Sequence, residues 1–365
     1  MSIDAFPETQ AAIENGIRRK LHAGIQIFVS VAGDVRLNTG VGMATPQRPI
    51  DQRTIMLWRS AGKPITSALC CLFAERGLID LKQCVKEYLP EFHDSVAGDA
   101  TMSQLLSHSS AIPLLETGWP RSPWDEIIGK ILQTSESHPE AAYQPQATWF
   151  LLAEVLQRID GRLFAKIVSD ELLRPLEITE AWCGLPETVI AEAEDRLPEF
   201  FVREKGQLKR SEYGDLPFLT RASPGGNFRG PVCELGRFYE ALLRARTSGD
   251  PSAVLTPSIV NQLTTPQRVD QFDATLQHKV DFGLGVIVNS NRHGVDTVPY
   301  GFGRYSSDQA FGHGGAQCAM AFCDPEYQLV VAWAANGFCG EGQHQRRNRA
   351  INEAIYRDLG LCRNE

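Results

Sequence analysis

Arg59-Ser60-Ala61-Gly62-Lys63-Pro64-Ile65-Thr66-Ser67-Ala68-Leu69-Cys70-Cys71-Leu72-Phe73 is the stretch around which the chain is organised. Its apolar residues Ile65, Ala68, Leu69, Leu72 and Phe73 fall at i, i+3, i+4, i+7 and i+8, the stripe of a core-facing helix. Pro64 fits only near a helix start, where a missing N–H costs little. Gly77, after Glu75-Arg76, is a stop signal. Ser60 therefore sits at or just before the first turn, and Lys63 lies one turn on along the same face. A hydroxyl beside an amine at a helix N-terminus can be an activated nucleophile: the amine takes the proton, and the positive helix end favours negative charge. The same serine also suits an ordinary N-cap, with Lys63 a solvated surface residue. Ser-x-x-Lys arises by chance roughly once in a chain this long, so the catalytic reading needs partners elsewhere.

Composition narrows the classes. The chain has 365 residues, 43% hydrophobic and 22% charged, with a net charge of -8. That is a globular profile with material for a large core, in two domains or one with an insertion. The acidic balance and the lack of a long basic run argue against a nucleic-acid partner. The short cluster Arg346, Arg347 and Arg349 reads as a solvated helix face. No apolar run is long enough for a membrane span, and Met1 to Glu8 lacks the basic and apolar regions of a signal peptide. The nine cysteines form no framework or zinc spacing, so reduced thiols in a cytoplasmic protein are expected, with no metal or cofactor. Cys70 and Cys71 are adjacent on a helix, so only one is expected to face the core.

In chain order, Glu8 to Lys20 reads as a helix with Ala11, Ile13 and Ile17 inward. Gly24 to Val31 and Val35 to Met43 read as a hairpin about Ala32-Gly33-Asp34. Thr101-Met102-Ser103-Gln104 is a capping box. Helices are predicted over Trp124 to Gln133, Ala147 to Ile159, Phe164 to Leu173, Cys233 to Arg244 and Gln343 to Leu359. Residues 187–220 give no clear pattern. Strands are predicted over Val280 to Asn289, Gln317 to Cys323 and Leu329 to Ala335. The order predicts an α/β (α+β) fold: an antiparallel sheet flanked by helices, with an inserted helical domain. Residues 1–85 and 275–365 would form the α/β domain from both termini, and 86–274 the mainly helical one.

Three features stand together: Ser60-x-x-Lys63 opening a helix, Tyr143 in a turn before another helix, and His313-Gly314-Gly315-Ala316 beside a strand. This order resembles the serine β-lactamase-like superfamily: class C β-lactamases, D-Ala-D-Ala carboxypeptidases, family VIII-type esterases and transacylases. Its pattern is Ser-x-x-Lys, then Tyr-x-Asn, then Lys/His-Thr/Gly-Gly. Leu105 to Pro113 looks like the family's Leu-Leu-Ser-His-Thr-Ser-Gly-Leu-Pro. Pro224-Gly225-Gly226-Asn227 looks like the esterase segment before its buried helix. Asp324-Pro325-Glu326 and Asn336-Gly337 look like its last hairpin and its end.

The resemblance implies Ser60 as nucleophile, with Lys63 and Tyr143 sharing its proton and Tyr143 the favoured base, its phenol lowered by nearby cations. It implies an oxyanion hole from the Ser60 and Ala316 N–H groups. Gly314 and Gly315 would let the strand approach substrate. His313 would orient Tyr143 or substrate, and His108 reads as structural. Trp119 and Trp124 fit a pocket or a capped core, and Gly301-x-Gly303 carries little phosphate signal. The chain departs from the family at Gln144-Pro145, where x-Asn is usual, leaving Gln144 or Gln146 as substitutes. That departure and His313 argue against a true β-lactamase. No acidic partner for a deacylating water is evident. The expected function is a serine hydrolase cleaving an ester or amide of a small-molecule acyl substrate. The alternatives are an acyltransferase passing that acyl group to an amine or alcohol, and a binding module that kept only the fold.

Overall fold

The computed structural model describes residues 3–138, 141–247, 250 and 253–362. In chain order, helix α1 is Pro7–Arg18, strand β1 Gly24–Val31, β2 Asp34–Thr45, β3 Arg48–Pro49 and β4 Met56–Arg59. Helix α2 is Lys63–Glu75, α3 Ala147–Asp160, β5 Phe228–Gly230 and α4 Val232–Ala245. Strands β6 (Ile287–Val288), β7 (Phe311–Gly315), β8 (Ala319–Asp324) and β9 (Leu329–Ala335) precede helix α5 (Glu341–Asp358). Seven antiparallel strands form one sheet in the order β6-β7-β8-β9-β1-β2-β3. Its centre joins both ends of the chain: Ile25 lies opposite Ala335 and Val31 opposite Leu329.

Both faces of the central strands are buried, so they read as near-continuous apolar runs. Ile25, Ile27, Val29, Val331 and Trp333 pack one face against α1 and α5. Phe28, Val330, Ala332 and Ala334 turn the other way, toward α2 and α4. A Cβ on Gly236 of α4 would stand 2.2 Å from Phe28 Cδ1, so glycine sets the closeness of that layer. Gln26 tethers it from within the sheet: its amide donates to Asp51 O and Thr54 O, and its Oε1 accepts from Val232 N at 2.6 Å. Strand β4 pairs with β5 and delivers Ser60 to the start of α2.

The antiparallel sheet with flanking helices matches the sequence pattern; several details differ. In α1, Thr9 and Gly16 join Ile13 in the buried face, while Ala11 is exposed and Ile17 partly buried. Thr9 faces inward because its N–H and hydroxyl both donate to Asp358. The strand predicted over Val280–Asn289 is a strand only at Ile287–Val288, with Phe282 in isolated bridges to Arg268 and Ile287. Gly283 and Gly285 break it: side chains there would meet Leu263 O at 2.0 Å and Ser67 Oγ at 1.8 Å. Residues 187–220, unpatterned in sequence, contain a helix at Glu187–Glu192 and a hairpin of Phe201–Glu204 with Gln207–Arg210. The chain's middle is therefore helical only in part. Cys70 and Cys71 are both buried, because α2 is enclosed on all sides from Lys63 to Phe73. No helix among the described residues is long and apolar enough to cross a membrane.

Arg347 corrects the solvated-face reading of its cluster. It is buried, and its guanidinium donates to Leu21 O, Gln317 O and Gly337 O. It also donates to His22 Nδ1 and His344 Nδ1, each at 3.0 Å. Both imidazoles must be neutral to accept, and burial followed by Arg347 holds both well below the usual histidine range. The knot ties α5 to the turn that follows β7.

A stability prediction follows from the sign of these shifts. Unfolded histidines titrate near pH 6.5, while His22 and His344 resist protonation in the fold. Stability is therefore complete above about pH 6.5 and falls below it, by about 1.4 kcal/mol per pH unit for each histidine. Denaturant midpoints at pH 7.5 and 5.5 should show this loss, and His22→Gln, which keeps an acceptor for Arg347 without titrating, should lessen it. A midpoint unchanged by pH would remove the neutral pair.

Candidate active site

Ser60 begins a tight turn that runs into α2, with Pro64 at the second helical position. Lys63 is fully buried, with Nζ 3.2 Å from Ser60 Oγ, 2.8 Å from Pro145 O and 2.5 Å from Gly225 O. It lies over the rings of Trp149 and Tyr143. Burial, and then the charge of Arg59, hold its pKa well below the ordinary lysine range. Among the described residues no carboxylate pairs with it. A neutral amine has two N–H donors and one lone pair. The two carbonyls can only accept, so when Lys63 is deprotonated they take both N–H groups and its lone pair turns to the Ser60 hydroxyl, whereas the ammonium donates to all three oxygens. Gly225 permits this: a Cβ there would sit 2.8 Å from Lys63 Nζ and 2.5 Å from Trp149 Cγ.

Tyr143 is brought to the same point, its hydroxyl hydrogen-bonded to Ser60. Burial raises its pKa, outweighing the lowering effects of Ser60 and Arg59. This corrects the expectation of a lowered phenol. With its pKa raised, the Tyr143 phenol keeps its proton in this arrangement, beside the Lys63 amine and the Ser60 hydroxyl. His108 packs on the Tyr143 ring at 4.5 Å, and its Nδ1 accepts from Gln144 N at 3.0 Å. Arg268, in a buried ion pair with Asp273, holds the His108 carbonyl. His108 thus positions the Tyr143 turn, which its neighbours in sequence do not reveal.

Strand β7 brings His313, Gly314 and Gly315 to the site. A side chain on Gly315 would meet Trp58 O at 2.2 Å, and one on Gly314 the Tyr300 ring at 2.0 Å. Ala316 follows in the turn, and among the described residues its N–H has no backbone acceptor. The Ser60 N–H, at the start of its helix, is free of an intrahelical acceptor in the same way. The two form a candidate oxyanion pair. His313 is buried, its Nδ1–H donating to Gly314 O at 2.7 Å. Burial, with Lys63 second, lowers its pKa to about 3, so it is neutral and supplies no charge. Its ring centroid is 5.8 Å from that of Tyr143.

Neither glutamine takes the place of the family's asparagine. Gln144 Nε2 donates to Ile112 O, and Gln146 Oε1 accepts from Thr117. Trp119 and Trp124 line a separate cavity with Phe150 and Leu163. Two residues escaped the sequence reading. Arg59 adopts φ 51°, strained for a side-chain-bearing residue, and stacks on Tyr213 while donating to its hydroxyl. Glu341 lines a cavity of about 500 Å³ that Tyr143, His313 and Ala316 also wall.

A helix-opening serine, a desolvated amine, a protonated phenol and two N–H groups thus converge from three segments. The comparisons agree with this architecture. The beta-lactamase family model matches residues 9–356. The esterase/beta-lactamase LipL of Mycobacterium tuberculosis is 23% identical over 314 residues, 76% of this chain and 68% of that protein. The ML-236A carboxylate methylbutanoyltransferase mlcH of Penicillium citrinum is 23% identical over 247 residues, 58% of this chain and 57% of that protein. Among solved structures, EstCE1, a hydrolase with promiscuous acyltransferase activity, matches with a TM-score of 0.79 at 17% identity, over 97% of this chain and 100% of that one. At that identity the structural likeness is one of fold. With its model matched over nearly the whole length, the chain belongs to the beta-lactamase family.

Proposed function

We propose that the protein is a serine hydrolase that cleaves an ester through an acyl-Ser60 intermediate. The observation that carries this reading is the buried lysine amine placed between two carbonyls and the serine hydroxyl, with no carboxylate partner among the described residues. Lys63 takes the proton from Ser60 Oγ, and Oγ bonds to the acyl carbon. The oxyanion accepts hydrogen bonds from the Ser60 and Ala316 N–H groups. Tyr143 donates its proton to the leaving oxygen as that bond breaks, and the lysine ammonium restores it. Water then enters by the reverse path. An ester suits the site better than an amide, since neither Gln144 nor Gln146 is free to bind an amide group.

Transfer of the acyl group to an alcohol or amine is the second reading. The cavity beside Tyr143 favours it, because it offers an acceptor a seat next to the proton donor. The relatives described above include an esterase/beta-lactamase and a methylbutanoyltransferase.

Intact-mass measurement after incubation with a fluorophosphonate and p-nitrophenyl esters tests the hydrolase reading. One adduct is expected, absent in Ser60→Ala, and Lys63→Met should lower kcat/KM by about 10³-fold. An adduct that persists without Ser60 overturns the assignment. The pH profile tests the electrostatics. Activity needs neutral Lys63, so the rate falls as pH drops through its pKa. Arg59 helps to lower that pKa, so in Arg59→Met the acid limb should move to higher pH. A limb that stays in place would show that Arg59 does not act on Lys63.

A further inference from the structure

The cavity beside Tyr143 has an apolar body and one charged edge. Leu276, Phe282, Ile287, Pro299 and Tyr300 supply its walls, and Glu341 and Gln345 close one side. No lysine or arginine lines it. The nearby cations are engaged elsewhere: Lys279 with Asp270, Arg304 with Asp296 and Glu353, and Arg347 with backbone carbonyls. Glu341 Oε2 accepts from the Tyr300 hydroxyl at 2.6 Å and from Gln345 at 3.4 Å. Among the described residues no cation pairs with this carboxylate.

A second acceptor stands on the same wall. His313 Nδ1 spends its proton on Gly314 O, so Nε2 carries only a lone pair. That atom is buried and has no hydrogen-bond partner. Among the described residues the Thr275 hydroxyl on the same wall, also without a partner, can donate or accept, so Glu341 and His313 Nε2 set the cavity's bias toward a ligand that brings donors.

The cavity's place relative to the reacting bond defines which half of the substrate it meets. Tyr143, donor to the leaving oxygen, and Ala316, donor to the oxyanion, both form its wall. We propose that it seats the leaving alcohol of the ester and selects one that carries a protonated amine on an apolar stem. This rests on the acyl-Ser60 reading. The stem lies among Phe282, Ile287 and Tyr300, and the ammonium meets Glu341, with aromatic faces nearby to share its charge. A leaving group that ends in a carboxylate meets Glu341 with no cation to offset the repulsion. β-Lactams and peptides with a free C-terminal acid are poor substrates on this account.

Two measurements on the full chain separate this inference from the one beneath it. The first is calorimetric binding of 4-phenylbutylammonium and 4-phenylbutyrate, which needs no catalysis. The amine should bind about tenfold tighter, the scale of one partly exposed charge pair, and Glu341→Gln should bring the two within about threefold. The second is kcat/KM for esters of one acyl group with an aminoalkyl, a neutral and a carboxyalkyl alcohol. Rates should fall in that order, and Glu341→Lys should reverse it. Equal binding of the two probes, or a preference that survives Glu341→Gln, overturns the amine site. Amine binding without any acylation of Ser60 leaves the site standing and removes the hydrolase instead. Ester cleavage indifferent to leaving-group charge does the opposite.

Discussion

The structure depends on a lysine amine buried without a carboxylate partner among the described residues. Burying a lysine without a counter-ion is costly unless it sheds its proton, and its N–H groups must then still find acceptors. Pro145 and Gly225 supply those acceptors from turns 82 and 162 positions further along the chain, one just before α3 and one before α4. The glycine, the Trp149 face and the full enclosure of α2 all follow from that single requirement. Because both N–H groups are committed, the direction of the lone pair is no longer free. The chemistry at Ser60 is thus a result of how two unrelated turns satisfy a buried nitrogen.

Neutrality extends through the neighbourhood. His108 and His313 flank Tyr143 as uncharged rings, and Tyr143 keeps its proton. Of the charges close by, Arg268 is paired with Asp273, and Arg59 lies over the rings of Tyr213 and Phe338. A low-dielectric setting of this kind makes each remaining dipole count for more. It also explains why the acid Glu341 lies at the far edge of the cavity, where water still reaches it.

What the sequence disclosed was local, and what it concealed depends on tertiary structure. The stripe from Ile65 to Phe73 and the Thr101 capping box are visible because helix period and cap chemistry act over four residues. His313-Gly314-Gly315 stood out because paired glycines beside a strand signal close backbone approach, and Tyr300 and Trp58 are indeed what approach them. Arg59 was hidden because its role needs a left-handed backbone and a tyrosine far along the chain. Arg347 was misjudged because charge on a helix usually means water, and only the fold assembles five acceptors beneath it. Val280–Asn289 looked like a strand by its apolar content, but its glycines serve contacts with Leu263 and Ser67 rather than a ladder.

The pairing of β1 with β9 has a consequence for biogenesis. Strands about three hundred positions apart must meet before the sheet has a centre. A ribosome releases Ser60 and α2 long before β7 can supply the Ala316 amide. The emerging chain therefore carries a serine-bearing segment whose oxyanion partner arrives only when the residues around Ala316 have followed it.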